Sequence, residues 1–178
     1  MNRPQIVVTV GTDHHPFDRL VRWVDGWSAA HPEADVFVQY GTAAAPDHAA
    51  GAALVDPAEL RRRFAAASAV VTHGGLSSIM GARDAGYLPI VVARDPEQGE
   101  HVDGHQQAFA LHQECRGRIA LIRTEEELHG ALASALADHD AFRRPSDGAD
   151  IAASVDQLAG LVDDLLAEHP ARHREGAP

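Results

Sequence analysis

Three short stretches hold most of the residues that could do chemistry: Gly11-Thr12 with His14 and His15 close behind, His73-Gly74-Gly75 with Ser77 and Ser78, and the polar run from Glu100 to Gln106. The middle one reads as a β-branched run, a glycine turn and a helix start. Gly74 and Gly75 let the backbone turn sharply and approach a ligand. The hydroxyls of Ser77 and Ser78 and the free N–H groups of a first helical turn then point at negative charge. A diphosphate fits such a place. The same order also serves an ordinary strand-to-helix turn, where glycine pairs and capping serines are common. The third stretch favours the ligand, because the buried strand before it, residues 89–92, does not need so many hydrogen-bonding groups at its exit.

The histidines are read in the same two ways. His14 and His15, behind the first glycine turn, are candidate general bases or phosphate donors, and equally adjacent loop residues at the surface. His101 and His105 are four apart, which on a helix puts two metal ligands on one face. No third ligand is obvious and no His-Glu-x-x-His occurs, so no metal is expected. Hydrogen bonding to a sugar, or plain exposure, is the reading for that pair.

These stretches need elements to position them, and the hydropathy pattern supplies an alternating set. Apolar runs at 5–10, 35–40, 52–55, 69–72, 89–92 and 118–122 predict strands, the first buried on both faces. Between them, 17–30 has a helical stripe at Phe17, Leu20, Val21, Val24 and Trp27; 57–67 has proline in its first turn; 77–86 and 102–114 follow. Thr124 with Glu127 three residues on is a capping box for the next helix. After a polar break at 140–150, an amphipathic helix is expected at 151–168 and a disordered tail at 169–178. The expectation is one α/β domain, 1–168, with a doubly wound, Rossmann-like parallel sheet. In the order 3-2-1-4-5-6 the first and fourth strands are neighbours, so Gly11-Thr12 and His73-Gly74-Gly75 face each other across one crevice, where such sheets bind ligands.

Composition narrows the partners. A formal charge of −11 argues against nucleic acid or an anionic membrane surface. All 15 basic residues are arginine, which excludes a P-loop lysine and Schiff-base chemistry. Cys115 is the only cysteine, so neither an intrachain disulfide nor a cysteine-cluster metal site can form. No apolar run approaches the ~20 residues of a membrane span. The chain is expected to be cytoplasmic, reaching the inner membrane face only through a partner. No Gly-x-Gly-x-x-Gly follows the first strand, which weakens a dinucleotide oxidoreductase reading.

Taken together, Val8-Thr9-Val10-Gly11-Thr12, Phe17-Asp18-Arg19-Leu20, His73-Gly74-Gly75, Gly86 with Pro89, and Glu100-His101-Val102-Asp103 with His105-Gln106 resemble the glycosyltransferase family 28 C-terminal domain, the donor-binding half of a GT-B enzyme. The resemblance runs from about residue 6 to 121. It implies a small subunit of a two-subunit enzyme of polysaccharide or lipid-linked-sugar synthesis. Such a subunit binds a UDP-sugar without a cofactor and works with a membrane-associated, acceptor-binding subunit. It also implies phosphate binding by Gly11, Thr12, Gly74, Gly75, Ser77 and Ser78, donor-sugar contacts by Asp103, His105 and Gln106, and His73 and Glu100 among the substrate-binding residues. The sequence departs from the family at one place: the acidic residue that holds the ribose hydroxyls falls on Gly81, with Asp84 one turn later. That leaves open a non-catalytic nucleotide-sugar-binding or protein-interaction module that has lost turnover. The apolar stripe of 151–168 is the expected docking face for a partner.

Overall fold

The β-branched runs become strands because each can be buried on both sides, as a parallel sheet flanked by helices requires. The computed structural model describes residues 3–144. In chain order they form β1 (Gln5–Thr9), α1 (Asp18–Ala30), β2 (Asp35–Gln39), β3 (Ala50–Ala52), α2 (Pro57–Ala66) and β4 (Ala69–His73). There follow α3 (Leu76–Asp84), β5 (Ile90–Val92), a 3-10 turn (Pro96–Gln98), α4 (His105–Cys115), β6 (Ala120–Ile122) and α5 (Glu125–Ala137). The six strands are parallel, in the expected order 3-2-1-4-5-6. The architecture is the doubly wound, Rossmann-like one.

Alternation along each strand divides the core. Ile6, Val8, Ala69, Val71, Ile90 and Val92 face one layer with Phe17, Leu20, Val21, Val24 and Trp27, the predicted stripe of α1, and with Leu128 and Leu132 of α5. Val7 and Val70 face the other way, against Phe64 of α2, Ala82 of α3 and Tyr87, while Val91 meets Ile79 and Ala110. A fully buried side chain of this size is worth about 1.5–3 kcal/mol, so the two layers fix the strand register firmly.

Several boundaries differ from the sequence reading. β3 lies at Ala50–Ala52 and not at 52–55, because its ladder runs alongside β2 and β2 ends at Gln39, the partner of Ala52. α4 begins at His105 and not at 102: an Asp103 carboxylate oxygen accepts the His105 N–H at 3.0 Å, so a side-chain turn takes the place of the first helical turn. α3 begins at Leu76 with Gly75 as its N-cap, which puts Ser77 and Ser78 inside the first turn. Thr124 caps α5 by accepting the Glu127 N–H at 3.2 Å, while the Glu127 carboxylate takes the N–H of Arg123, one residue before the expected one. The predicted helix at 151–168, with its docking stripe, and the tail at 169–178 lie outside the described residues. No described helix is long and apolar enough to cross a membrane.

Candidate functional site

The register of β1 on β4 pairs Thr9 with Thr72 and brings the two glycine turns together. Between them stands His73. A Cβ on Gly11 would lie 2.5 Å from His73 Cε1, and one on Gly75 would collide with His73 Nε2 and lie 2.9 Å from Cδ2. Two glycines that follow different strands therefore close on one imidazole. Gly11 is also in the left-handed region, at φ +79°, which glycine alone adopts without strain. Gly74 packs less tightly, on the other neighbour: a Cβ there would be 3.0 Å from Gln106 Cβ.

Burial lowers the pKa of His73 to about 4, the Arg94 charge adds to the effect, and the Thr9 carbonyl and Asp13 offset part of it. The ring is thus neutral at pH 7. Next to it opens a cavity of about 480 Å3 lined by Thr9, Gly11, Thr12, Gln39, Arg61, His73, Ser77, Ser78, Gly81 and Asp84, among others. Gly11, Thr12, His73, Ser77 and Ser78 thus meet at one cavity. At Gly81 a Cβ would meet only Phe64 Cε2 at 3.7 Å, an ordinary contact. A cavity of about 560 Å3 lies by the amino ends of β1 and β2, among Arg3, Gln5 and Asp35. It contains none of the expected site residues, and ligands of open α/β sheets sit at the carboxyl ends.

Arg94, only 1% exposed, ties the loop after β1 to the loop after β5. Its guanidinium donates to the carbonyls of His15 (2.7 Å), Val10 (2.8 Å) and Glu100 (2.9 Å). Arg19 adds a second tie, donating to both carboxylate oxygens of Glu100 at 2.9 and 2.8 Å and to the Ala93 carbonyl. The Asp95 N–H takes one of those oxygens as well. Glu100 is consequently buried with both oxygens engaged inside the protein. Nothing in the hydropathy pattern marked Arg94. The one hint was that a lysine-free chain must use arginine wherever it needs a cation.

The two loops share a device that the sequence reading missed. In Asp13-His14-His15, Asp13 Oδ1 accepts the backbone N–H of His15 at 2.8 Å and its Nδ1–H at 2.7 Å. In Asp103-Gly104-His105, Asp103 Oδ1 accepts the same two groups of His105 at 3.0 and 2.5 Å. An ionised carboxylate only accepts, so both rings carry a proton on Nδ1, and in the neutral ring Nε2 then has the lone pair. Burial would raise the pKa of Asp13, but the bonds from His15 outweigh it, with help from Arg94 and His101, and the group falls to about 2. His101 stands between the pairs: its Nε2 is 3.4 Å from Asp13 Oδ2 and its Nδ1 3.7 Å from Asp103 Oδ1. His14 is largely exposed, its Nδ1 3.6 Å from Asp13. Gln106 is buried, and its Oε1 has no hydrogen-bond partner among the described residues.

Among solved structures, the chain is similar to the glycotransferase of kitacinnamycin (TM-score 0.56, 19% identity, 76% of this chain and 35% of that one). It is also similar to the calicheamicin glycosyltransferase CalG4 (TM-score 0.54, 17% identity, 77% and 36%). At such identities the likeness is one of fold, and the chain spans about a third of the length of either. No curated protein sequence matches. The model of the glycosyltransferase family 28 C-terminal domain matches residues 5–158, most of the chain, and the protein belongs to that family.

Proposed function

We propose that this chain binds a nucleotide-sugar donor, a UDP-sugar, and transfers the sugar to an acceptor presented by a membrane-associated partner chain, in polysaccharide or glycoconjugate synthesis. The observation that carries the reading is the closure of Gly11 and Gly75 on His73 beside a cavity that Ser77 and Ser78 also line. The free N–H groups at the start of α3, with the hydroxyls of Thr12, Ser77 and Ser78, stabilise charge on the leaving diphosphate as the bond from the anomeric carbon to phosphate oxygen breaks. His15, held by Asp13 with Nε2 free, takes the proton of the acceptor hydroxyl as its oxygen bonds to the anomeric carbon. His14 stands beside it. Asp103, His105 and Gln106 hold donor hydroxyls, and a hydroxyl is a partner for the orphaned Gln106 Oε1. Glu100, with both oxygens occupied, serves by fixing the loop through Arg19.

The chain spans about a third of the length of its structural neighbours, and in this reading the acceptor is brought by the partner chain. Leu54, Leu76 and Val102 are 67%, 60% and 72% exposed and follow the carboxyl ends of β3, β4 and β5. An apolar rim around the crevice suits a covering partner. A second reading, a binding module without turnover, is favoured by Gly81, which has no side chain to hold the ribose hydroxyls.

Calorimetric titration with UDP, GDP and dTDP tests the first reading. UDP should bind the isolated chain, and a folded Gly75→Ala variant, whose new methyl group displaces His73, should bind at least ~10-fold more weakly, equivalent to 1.4 kcal/mol. Equal affinity in the two proteins would remove the phosphate assignment. Binding without turnover in the presence of an acceptor-presenting partner would favour the second reading.

A further inference from the structure

The histidines of the third stretch lacked a third metal ligand while 102–105 was read as helix; the observed loop provides one. In His101-Val102-Asp103-Gly104-His105 the residue between the two histidines is a carboxylate, and its Oδ1 lies 3.7 Å from His101 Nδ1 and 2.5 Å from His105 Nδ1. A ring nitrogen of each histidine and a carboxylate oxygen of Asp103 lie within 4.8 Å of one another. Two nitrogens and an oxygen around a tetrahedral ion at about 2.0–2.1 Å would be roughly 3.3 Å apart, between the two observed separations.

A second observation concerns His101 itself. Its Nδ1 accepts the Asp103 N–H at 3.4 Å, so the lone pair is on Nδ1 and the ring proton is on Nε2, facing Asp13 Oδ2 at 3.4 Å. Metal-bound histidines are commonly held in this way, with the far ring nitrogen donating to a carboxylate that fixes the tautomer and raises ligand basicity. The carboxylate comes from the other loop, the one Arg94 ties in place. His101 is nearly buried, whereas Asp103 and His105 are exposed, which gives a fixed anchor and an open approach.

We propose that this loop binds a single transition-metal dication of the zinc type through His101 Nδ1, Asp103 Oδ1 and His105 Nδ1, with Asp13 orienting His101. Two imidazoles select zinc, cobalt or nickel over magnesium or calcium. Binding replaces the long bond from the Asp103 N–H to His101 Nδ1 and moves the His105 proton from Nδ1 to Nε2, so both imidazoles bind as neutral rings. The remaining coordination position faces solvent and is open to an oxygen of a bound anion or sugar. The proposal shares Asp103 and His105 with the donor reading, but its test is separate, because metal binding is measured without nucleotide.

The test uses the full chain without an affinity tag, stripped with EDTA and titrated with Zn2+ by calorimetry in two non-chelating buffers, with Co2+ as a spectroscopic probe. The expected result is saturation at one ion per chain, an enthalpy that agrees between the buffers because the displaced proton stays on the ring, intense visible absorption of tetrahedral Co2+, and no competition from Mg2+. His105→Ala, at an exposed position, should abolish stoichiometric binding. Asp13→Asn should weaken it about 10- to 100-fold. His48→Ala, at an exposed histidine in the loop between β2 and β3, should leave it unchanged. Absence of saturable binding, or affinity as high in His105→Ala as in His48→Ala, would overturn the proposal. A UDP titration in EDTA reports on the donor reading separately.

Discussion

At the carboxyl end of β4 the candidate site is mostly main chain, with no room for Cβ atoms: one on Gly11 or Gly75 would run into the uncharged His73, and one on Gly74 would press on Gln106. At the carboxyl end of β5 it is side chain: Glu100, His101, Asp103 and His105, held by partners from other loops or by their neighbours, and Gln106, whose Oε1 has no partner among the described residues. The difference teaches where binding information is kept. A main-chain surface depends on what is absent, the Cβ atoms, and is written locally as glycine. A side-chain surface depends on distant partners, so Arg19 and Arg94 are as much part of it as the residues that face the ligand.

If the two sides are coupled as the hydrogen bonds indicate, Arg94 is where the comparison breaks first. Arg94→Met keeps much of the volume but strips three buried carbonyls of their donor. Breaking a buried charged group out of its network costs about 3–5 kcal/mol. Urea unfolding should show a loss of that size. An unchanged midpoint would mean that the loops hold their places separately.

His73 sharpens the comparison from the other side. Its pKa in the folded chain is about 4, against an ordinary 6.5, because burial disfavours the charged ring and Arg94 adds to the effect. As pH falls the unfolded chain takes up the proton first, so stability present above pH 6.5 is lost progressively down to pH 4 and is level below it. The loss is roughly 3 kcal/mol. Unfolding measured across that window should show it in the wild type and not in His73→Gln. Asp13, lowered to about 2 from 3.8, acts in a separate window below pH 4.

The same contrast explains what could be read from the sequence. The strand order was legible because runs such as Ile6-Val7-Val8 and Val70-Val71 can be buried on both faces and the chain alternates around them. From the order came the crevice, and Gly11, Thr12, His73, Ser77 and Ser78 do line one cavity. Arg94 was not legible: an arginine just past an apolar run reads as a solvated strand end, and only the carbonyls of Val10, His15 and Glu100 make its burial affordable. The start of α4 was misread because helical spacing does not register an aspartate that takes the N–H of the residue two ahead. Asp13 went unused although Asp-x-His occurs at both 13–15 and 103–105, a repeat visible in the sequence whose meaning needs the hydrogen bonds.

The smallest expected effect lies at Gly81, on the main-chain side, where one side chain is missing. The position lines the cavity beside Ser77 and Ser78, and a Cβ there meets nothing closer than Phe64 Cε2 at 3.7 Å, so space does not demand a glycine. Its backbone is helical, so no conformational reason demands one either, and replacing a glycine inside a helix gains a few tenths of a kcal/mol or more. Gly81→Glu should therefore fold at least as well as the wild type. If the cavity takes the ribose of UDP, the new carboxylate accepts from its hydroxyls and tightens binding by about 1 kcal/mol, the net scale of one hydrogen bond. Asp84 lines the same cavity one turn along α3, and if it already holds the ribose the gain disappears; the double variant Gly81→Glu with Asp84→Asn separates the two cases. Weaker UDP binding in Gly81→Glu, with the fold intact, would mean that the bare backbone at Gly81 is itself a contact surface, and that the main-chain side of the crevice extends a full turn further along α3.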